Sequence, residues 1–356
     1  MAPMVSAATA HLAPRLRVAL HAAFAAFLLS WVQWLDWLMP FQLGWQLVTL
    51  GGVMAARGVA AKDPGGALRW QASGLAIAYL GGAATWLALV PVVLGGAAWR
   101  VAAAPPPRRA SAARLAAVAA VLTVLVAAYF HGVTLPSPAA TTAPLDRLAS
   151  MARFHLQLLG SPFDAGARRP LEPLVTAAGA LMAFGTAAVV LRLRRRGKVP
   201  PFPAALLALS HSACLLITAG RHAGGVAAAV TSRYSVWPLL GWAALAALGL
   251  HLGVSGPRAP APARASRAAA VATLLLLGAG AVVGALHVEA AAARQRHVAR
   301  GGVCLRQVLR NPQLFEKRRR CLGRLYPYPD RLVDIARRAV DAGRLEGLGA
   351  TRSNGR

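Results

Sequence analysis

Two arginines, Arg221 and Arg233, stand in a short polar stretch that separates two long apolar runs and reads Gly220-Arg221-His222-Ala223-Gly224-Gly225, then Thr231-Ser232-Arg233-Tyr234. Guanidinium forks grip phosphate or carboxylate, so the pair predicts an anionic partner unless these side chains snorkel to headgroups or pair with Asp36 or Asp164. Asp36 sits in Trp31-Val32-Gln33-Trp34-Leu35-Asp36-Trp37. Tryptophans at three-residue spacing share one face of a helix end and read as an interfacial belt, whereas a carboxylate among them is desolvated and must pair or work. Gln42 and Gln46, one turn apart, could share its face or hydrogen-bond between helices. His131, in Tyr129-Phe130-His131-Gly132, and His155 are the histidines of the longest connection, with His131 expected as a polar contact at a helix mouth. No Asp, Glu, Cys and His cluster has ligand spacing, so no metal site is visible and no cofactor is expected, although a divalent cation is compatible. No strand precedes the glycine-rich stretch, which excludes a dinucleotide or phosphate-loop fingerprint.

These residues hang on apolar elements. The chain has 356 residues, of which 57% are hydrophobic and only 14% charged, a balance that excludes an ordinary soluble domain and predicts a bilayer-embedded one. Apolar stretches fall near 16–32, 41–58, 67–82, 84–99, 112–130, 172–192, 202–219, 235–254 and 268–287. The fold class is therefore all-α: a polytopic transmembrane helix bundle of about nine spans. Gly81-Gly82 is the expected break between the third and fourth. Within the long loop, Leu148, Met151, Phe154 and Leu158 recur near helical period over 145–159, so this stretch should lie flat on the membrane surface.

Charge sets the orientation. The formal charge is +28, from 39 Lys and Arg against 11 Asp and Glu. With the N-terminus inside, seventeen basic residues fall in the cytoplasmic connections and six (Arg147, Arg153, Arg168, Arg169, Arg221, Arg233) in the outside loops, as the positive-inside rule requires. The other sixteen lie in a polar tail, which makes two domains, a transmembrane one over 1–287 and a basic helical tail over 288–356. The nine-span count puts that tail outside, where a disulfide between Cys304 and Cys321 would persist and would stabilise it by roughly 3 kcal/mol. Cys214, inside an apolar span, reads as a small core residue. The tail's basic run has few interleaved aromatics, so headgroups or anionic glycans are the expected contacts and nucleic acid is not.

Several short motifs carry a family resemblance: Tyr129-Phe130-His131-Gly132, Pro136-Ser137-Pro138, Leu159-Gly160-Ser161-Pro162, Gly220-Arg221 and Ser232-Arg233-Tyr234. Together with Gln33-Trp34 to Phe41-Gln42 and the cysteine-bearing tail ending in Leu325-Tyr326-Pro327, they resemble a family of uncharacterised bacterial polytopic membrane proteins. That family is in turn distantly similar to integral-membrane glycosyltransferases of the GT-C type, which take sugars from polyprenyl-phosphate carriers at the outer face of the membrane. Arg233-Tyr234 followed by Pro238 resembles their Arg-Tyr-x-x-x-Pro at the head of a late span. The resemblance implies that outside arginines, here Arg221 and Arg233, clamp a carrier phosphate, that Tyr234 orients it, and that an acid of the first outside loop is catalytic base or metal ligand; His131 is a further candidate for substrate binding. Members of the family usually carry further hydrophobic segments upstream. This chain is expected to begin after them, which leaves Asp36, aligned with an inner motif, as the acid of its first outside loop.

Three functions follow as expectations. The first is a sugar transferase of this type, or its residual and inactive part, in the bacterial inner membrane with a periplasmic or extracellular tail. Its partners would be membrane lipids and a polyprenyl-phosphate-linked sugar. The second is a non-catalytic cell-envelope protein that binds lipid or assists polysaccharide assembly. A transporter, the third, would place ionisable groups at mid-membrane in repeated halves, whereas the spans carry only His21, His211 and His251 near their interiors and no repeat is visible.

Overall fold

A computed structural model describes residues 13–28, 43–81, 84–103, 109–131, 143–164, 171–196, 199–230, 234–254, 262–323 and 329–341. The described residues are overwhelmingly helical and contain no strand. The chain divides into two compact units, Met1–His287 and Val288–Arg356.

In the first unit the order is α1 (Pro14–Leu28), α2 (Leu43–Ala60), α3 (Pro64–Leu80), a 3-10 turn (Ala84–Ala88), α4 (Leu89–Ala103), α5 (Arg109–Phe130), α6 (Pro144–Gly160), α7 (Glu172–Arg196), α8 (Pro201–Arg221), the short α9 (Gly225–Ala229), α10 (Val236–Val254) and α11 (Pro262–Leu286). Each of the nine apolar stretches coincides with a helix. Local chemistry sets several starts: Asp63 accepts from the Gly66 N–H and Pro64 opens α3, while Pro144 and Pro201 open α6 and α8. The expected break after α3 is present, and α3 and α4 are separate helices.

Thr85–Ala102, Glu172–Arg195 and Pro201–Arg221 are each long and apolar enough to cross a membrane. Leu115–Phe130, Val236–Leu252 and Ala270–Leu286 are apolar but shorter. Among the described residues fewer helices reach full spanning length than the nine stretches suggested: α1 and α3, for example, are only 15 and 17 residues long, and α3 also carries Arg69. The exterior is apolar: Leu174, Leu181, Val190, Leu191 and Phe184 (76% exposed) project from α7, and Val121, Val124, Leu275 and Val282 from α5 and α11. Water would penalise so continuous a surface and a bilayer does not. Polar groups turn inward, with Ser210 donating to the Trp237 carbonyl (2.8 Å) and the Trp242 indole donating to the Leu159 carbonyl (2.9 Å).

α2 and α3 form the most extensive helix pair, and glycine is the reason. A Cβ on Gly51 would lie 2.3 Å from the Gly74 carbonyl oxygen, and one on Gly44 would lie 2.3 Å from that of Gly81. Gly44, Gly51 and Gly58 repeat every seven residues, facing Gly81, Gly74 and Ala67 with the same spacing. Gly81 has an ordinary helical φ of −62°, so its place depends on close approach to Gly44 and not on backbone freedom. A second seam joins α6 to α7, where a Cβ on Gly160 would lie 1.8 Å from the Val175 carbonyl oxygen.

The amphipathic stretch does form α6, but it does not lie flat along its whole length. Phe154, Gln157, Leu158, Leu159 and Gly160 are buried in the bundle, whereas Leu145 and Leu148 remain exposed. The Gly160–Gly179 seam draws in only the C-terminal half.

The second unit holds α12 (Val288–Arg310), a 3-10 turn (Pro312–Leu314), α13 (Phe315–Leu322) and α14 (Pro329–Asp341). Cys304 and Cys321 are disulfide-bonded with their Cα atoms 6.3 Å apart. In one continuous helix those residues would be about 25 Å apart. The turn at Asn311, whose side chain accepts from the Gln313 N–H, folds α13 back onto α12 around Val308, Leu322 and Val333. Cys214 is a free, buried core residue of α8.

The seams generate a prediction. Gly51→Val should lower the unfolding free energy by about 1–3 kcal/mol through overpacking, whereas Gly95→Val, which meets nothing within 4 Å, should not. Thermal melts of the two variants in one detergent check it; equal melting temperatures would exclude backbone contact at Gly51.

Candidate functional site

The end of the bundle where α8 finishes and α7 begins carries a cleft of ≈480 Å³, lined by Arg153, Phe154, Gln157, Glu172, His222 and Gly225 among others. Arg153 and Gln157 are four residues apart on α6 and so share one face. Both donate to Glu172 Oε1, the Gln157 amide at 2.9 Å and Arg153 as a salt bridge. Glu172 opens α7, where the helix N-terminus favours a negative charge. Arg153 keeps 67% of its side chain exposed, so a face of its guanidinium is open to the cleft. The opposite wall depends on a tight reversal after α8. Residues His222–Gly224 form a 3-10 turn and Gly225, at φ 62°, takes the left-handed conformation that glycine alone adopts freely.

A polar chain leads inward from this cleft. His222 Nδ1 lies 3.2 Å from the Thr218 carbonyl, and Thr218 Oγ1 is 3.2 Å from His155 Nδ1. The rings of His155 and His211 have centroids 6.3 Å apart, and His211 Nε2 is 3.1 Å from Thr186 Oγ1. Burial, and secondarily the neighbouring His211, push the His155 imidazole down to about 4. Asp164 closes the same end, accepting from the Leu171 N–H at 3.1 Å while its carbonyl accepts from His287 Nε2 at 2.8 Å. Among the described residues no group of three or more His, Cys, Asp or Glu could hold a metal ion.

The residues singled out in the sequence are distributed unevenly. Arg221 is exposed at the C-terminus of α8, adjacent in sequence to the cleft residue His222. Tyr234 is only 3% exposed and packs edge-on against Trp45 at 5.5 Å, beneath the surface and outside the lining of the cleft. His131 is exposed just past α5, its backbone N–H 3.4 Å from the Ala128 carbonyl. Asp36 and Arg233 lie outside the described residues, as do Gln33 and Gln42.

Sequence reasoning missed Glu172 and Gln157 as cleft residues, and it missed the His155–His211 pair. The i, i+4 spacing of Arg153 and Gln157 was a readable signal; the partner 19 residues beyond Arg153 was not. No protein-family model, curated protein or solved structure matches the chain.

The His155 environment fixes a pH dependence. An ordinary histidine protonates near 6.5, so below that pH the unfolded chain takes up a proton that folded His155 refuses until about 4. Stability is therefore full above 6.5 and falls as the pH drops towards 4. Between pH 7.5 and 5 the loss should be on the order of 1–2 kcal/mol, and it should diminish in His155→Gln. Melting temperatures of both proteins across that range test it; parallel curves would remove His155 as the cause.

Proposed function

We propose that the chain is a multi-pass cell-envelope membrane protein whose cleft between α6, α7 and α8 binds the anionic headgroup of a lipid-linked sugar, in the manner implied by its resemblance to GT-C-type glycosyltransferases. The single observation that carries this reading is Arg153 in the cleft, half-committed to Glu172 and half-exposed, with Arg221 at the end of the adjoining helix. A phosphate meeting these two guanidinium groups would gain charge-assisted hydrogen bonds at a membrane-proximal surface where competing water is reduced.

In this reading the polyprenyl chain stays in the bilayer beside the apolar exterior while the phosphate and sugar occupy the cleft. Arg221 and Arg153 hold the phosphate, and Gln157 and His222 offer hydrogen bonds to sugar hydroxyls; Arg233, which the sequence also proposes as a phosphate ligand, lies outside the described residues. Glu172 already accepts two hydrogen bonds, which suits a positioning role better than proton abstraction. A general base would have to be Asp36, so binding is the primary function and sugar transfer rests on that residue. The charge bias of the connections supports placement in the bacterial inner membrane with the N-terminus inside, and the Cys304–Cys321 bridge supports an oxidising compartment for the tail.

The test is binding of radiolabelled polyprenyl phosphate to the purified chain in detergent. Arg153→Ala and Arg221→Ala should each raise the Kd about tenfold or more, the loss expected for a charge-assisted hydrogen bond. Asp36→Asn should leave binding intact and abolish any change in cell-surface glycan. Unaltered affinity in both arginine variants would refute the cleft as the phosphate site.

A further inference from the structure

A second cavity, of ≈540 Å³, lies between α3, α4 and α5 and does not depend on the cleft. Its walls are apolar: Leu75, Tyr79 and Leu80 on one side, Val121, Leu122 and Leu125 on the other. Leu80 and Val121 are exposed on the outside of the bundle, so the groove opens sideways, towards the hydrocarbon of a bilayer. One lining group breaks the pattern. Gln71 is 6% exposed, and its side-chain Nε2 has no hydrogen-bond partner among the described residues. An amide donor in an apolar wall, away from water, is costly to leave unmade and calls for an acceptor supplied by whatever fills the groove.

The surroundings of Gln71 narrow the choice. A Cβ on Gly58 would lie 2.6 Å from Gln71 Cγ, and the Gly58 carbonyl accepts from Arg100 at 2.9 Å. Arg100 also donates to the Val59 and Ala61 carbonyls (3.2 and 2.6 Å), tying α4 to the C-terminus of α2, yet its Nε is buried without a partner among the described residues. Around this end stand Arg57, Lys62 and Arg69, all exposed, with Asp63 as the acid between them, its carboxylate already capping α3. The end of the groove at which Gln71 sits is therefore positive. Gln71 lies about 10 Å along α3 from Pro64. With the charged 62–64 turn at the outer edge of a headgroup layer about 5–7 Å deep, Gln71 comes a few Å past the headgroups, within reach of the ester carbonyls of a glycerolipid.

We propose that this groove is a binding site for one anionic glycerophospholipid. An acyl ester carbonyl accepts from Gln71 Nε2, the acyl chain lies along Leu75, Tyr79 and Leu125, and the phosphate meets the basic end of the α2–α3 hairpin. The volume falls within the usual range for a small-molecule site. An acyl chain alone would leave Gln71 unpaired, and a zwitterionic headgroup would bring its own cation to a positive surface.

The experiment is native mass spectrometry of the delipidated full-length chain, titrated with phosphatidylglycerol and, separately, phosphatidylethanolamine. The wild type should hold one phosphatidylglycerol at least fivefold more tightly than phosphatidylethanolamine. Gln71→Leu should weaken phosphatidylglycerol binding at least fivefold. Ala76→Phe, which fills the groove from its rim, should do the same with helical content unchanged by circular dichroism. Phosphatidylglycerol retained equally by both variants, or equal affinity of the wild type for the two lipids, would overturn the proposal. So would a Gln71→Leu protein that melts higher with unchanged lipid occupancy, because that is the behaviour of a donor orphaned in an empty groove.

Discussion

In a bilayer the hydrophobic effect that assembles soluble cores is absent between helices, since lipid tails are as apolar as leucine. What remains is contact, and contact strengthens as backbones approach. This protein meets that constraint with glycine placed where two helices cross. Gly44, Gly51 and Gly58 of α2 lie against Gly81, Gly74 and Ala67 of α3, and Gly160 of α6 lies against Val175 and Gly179 of α7. Much else in the first unit follows from these seams. The α2–α3 seam holds Gln71 against Gly58 and thereby fixes one wall of the lipid-facing groove. The α6–α7 seam draws the C-terminal half of α6 into the bundle, bringing Gln157 onto Glu172 and His155 towards His211. Side chains larger than hydrogen at Gly44, Gly51, Gly74, Gly81, Gly160 or Gly179 would force apart helices that carry the two cavities.

The helices themselves were legible in the residues because their signal is local. Each of the nine apolar stretches is a helix, and the break between α3 and α4 falls where Gly81-Gly82 was expected to put it. The physical cause at Gly81 differs from the expected one. Glycine is commonly read as a source of backbone freedom, but here the backbone is ordinary and the missing side chain is what matters. The seven-residue repeat of the glycines was present to be read, and it points to a helix face, not to a chain break. The tail was legible in the same partial way. Two cysteines suggested a bridge, but the Asn311 turn that makes it geometrically possible depends on a local cap.

The cleft was less legible because its pairings are non-local. Arg153 was seen as one of six basic residues in the outside loops, and Glu172 was not singled out. Nothing in their separation along the chain marks them as partners. Of the residues picked for anion recognition, Arg221 stands exposed at the end of α8, beside a cleft residue, while the Tyr234 ring is packed under Trp45. Tyrosine adjacent to arginine in sequence looks like a second ligand-binding group, yet the Tyr234 ring is committed to packing, 3% exposed and edge-on to Trp45. Sequence adjacency is therefore weak grounds for a shared site, and the i, i+4 relation of Arg153 and Gln157 is stronger.

The charge balance links the two cavities. With 39 basic residues and 11 acidic ones, one-to-one pairing within the chain leaves most cations without a partner carboxylate. Several of the acids are also already engaged: Asp63 caps α3, Glu172 holds Arg153, and Asp164 accepts from the Leu171 N–H. Cations in such excess repel one another unless anions are supplied from elsewhere, and at a membrane the abundant anions are lipid phosphates. Buried donors repeat the pattern at atomic scale, with Gln71 Nε2 and Arg100 Nε both lacking acceptors among the described residues. Both features have the same physical resolution under the proposed reading, in which lipid anions and ester carbonyls supply the missing part of the electrostatic complement.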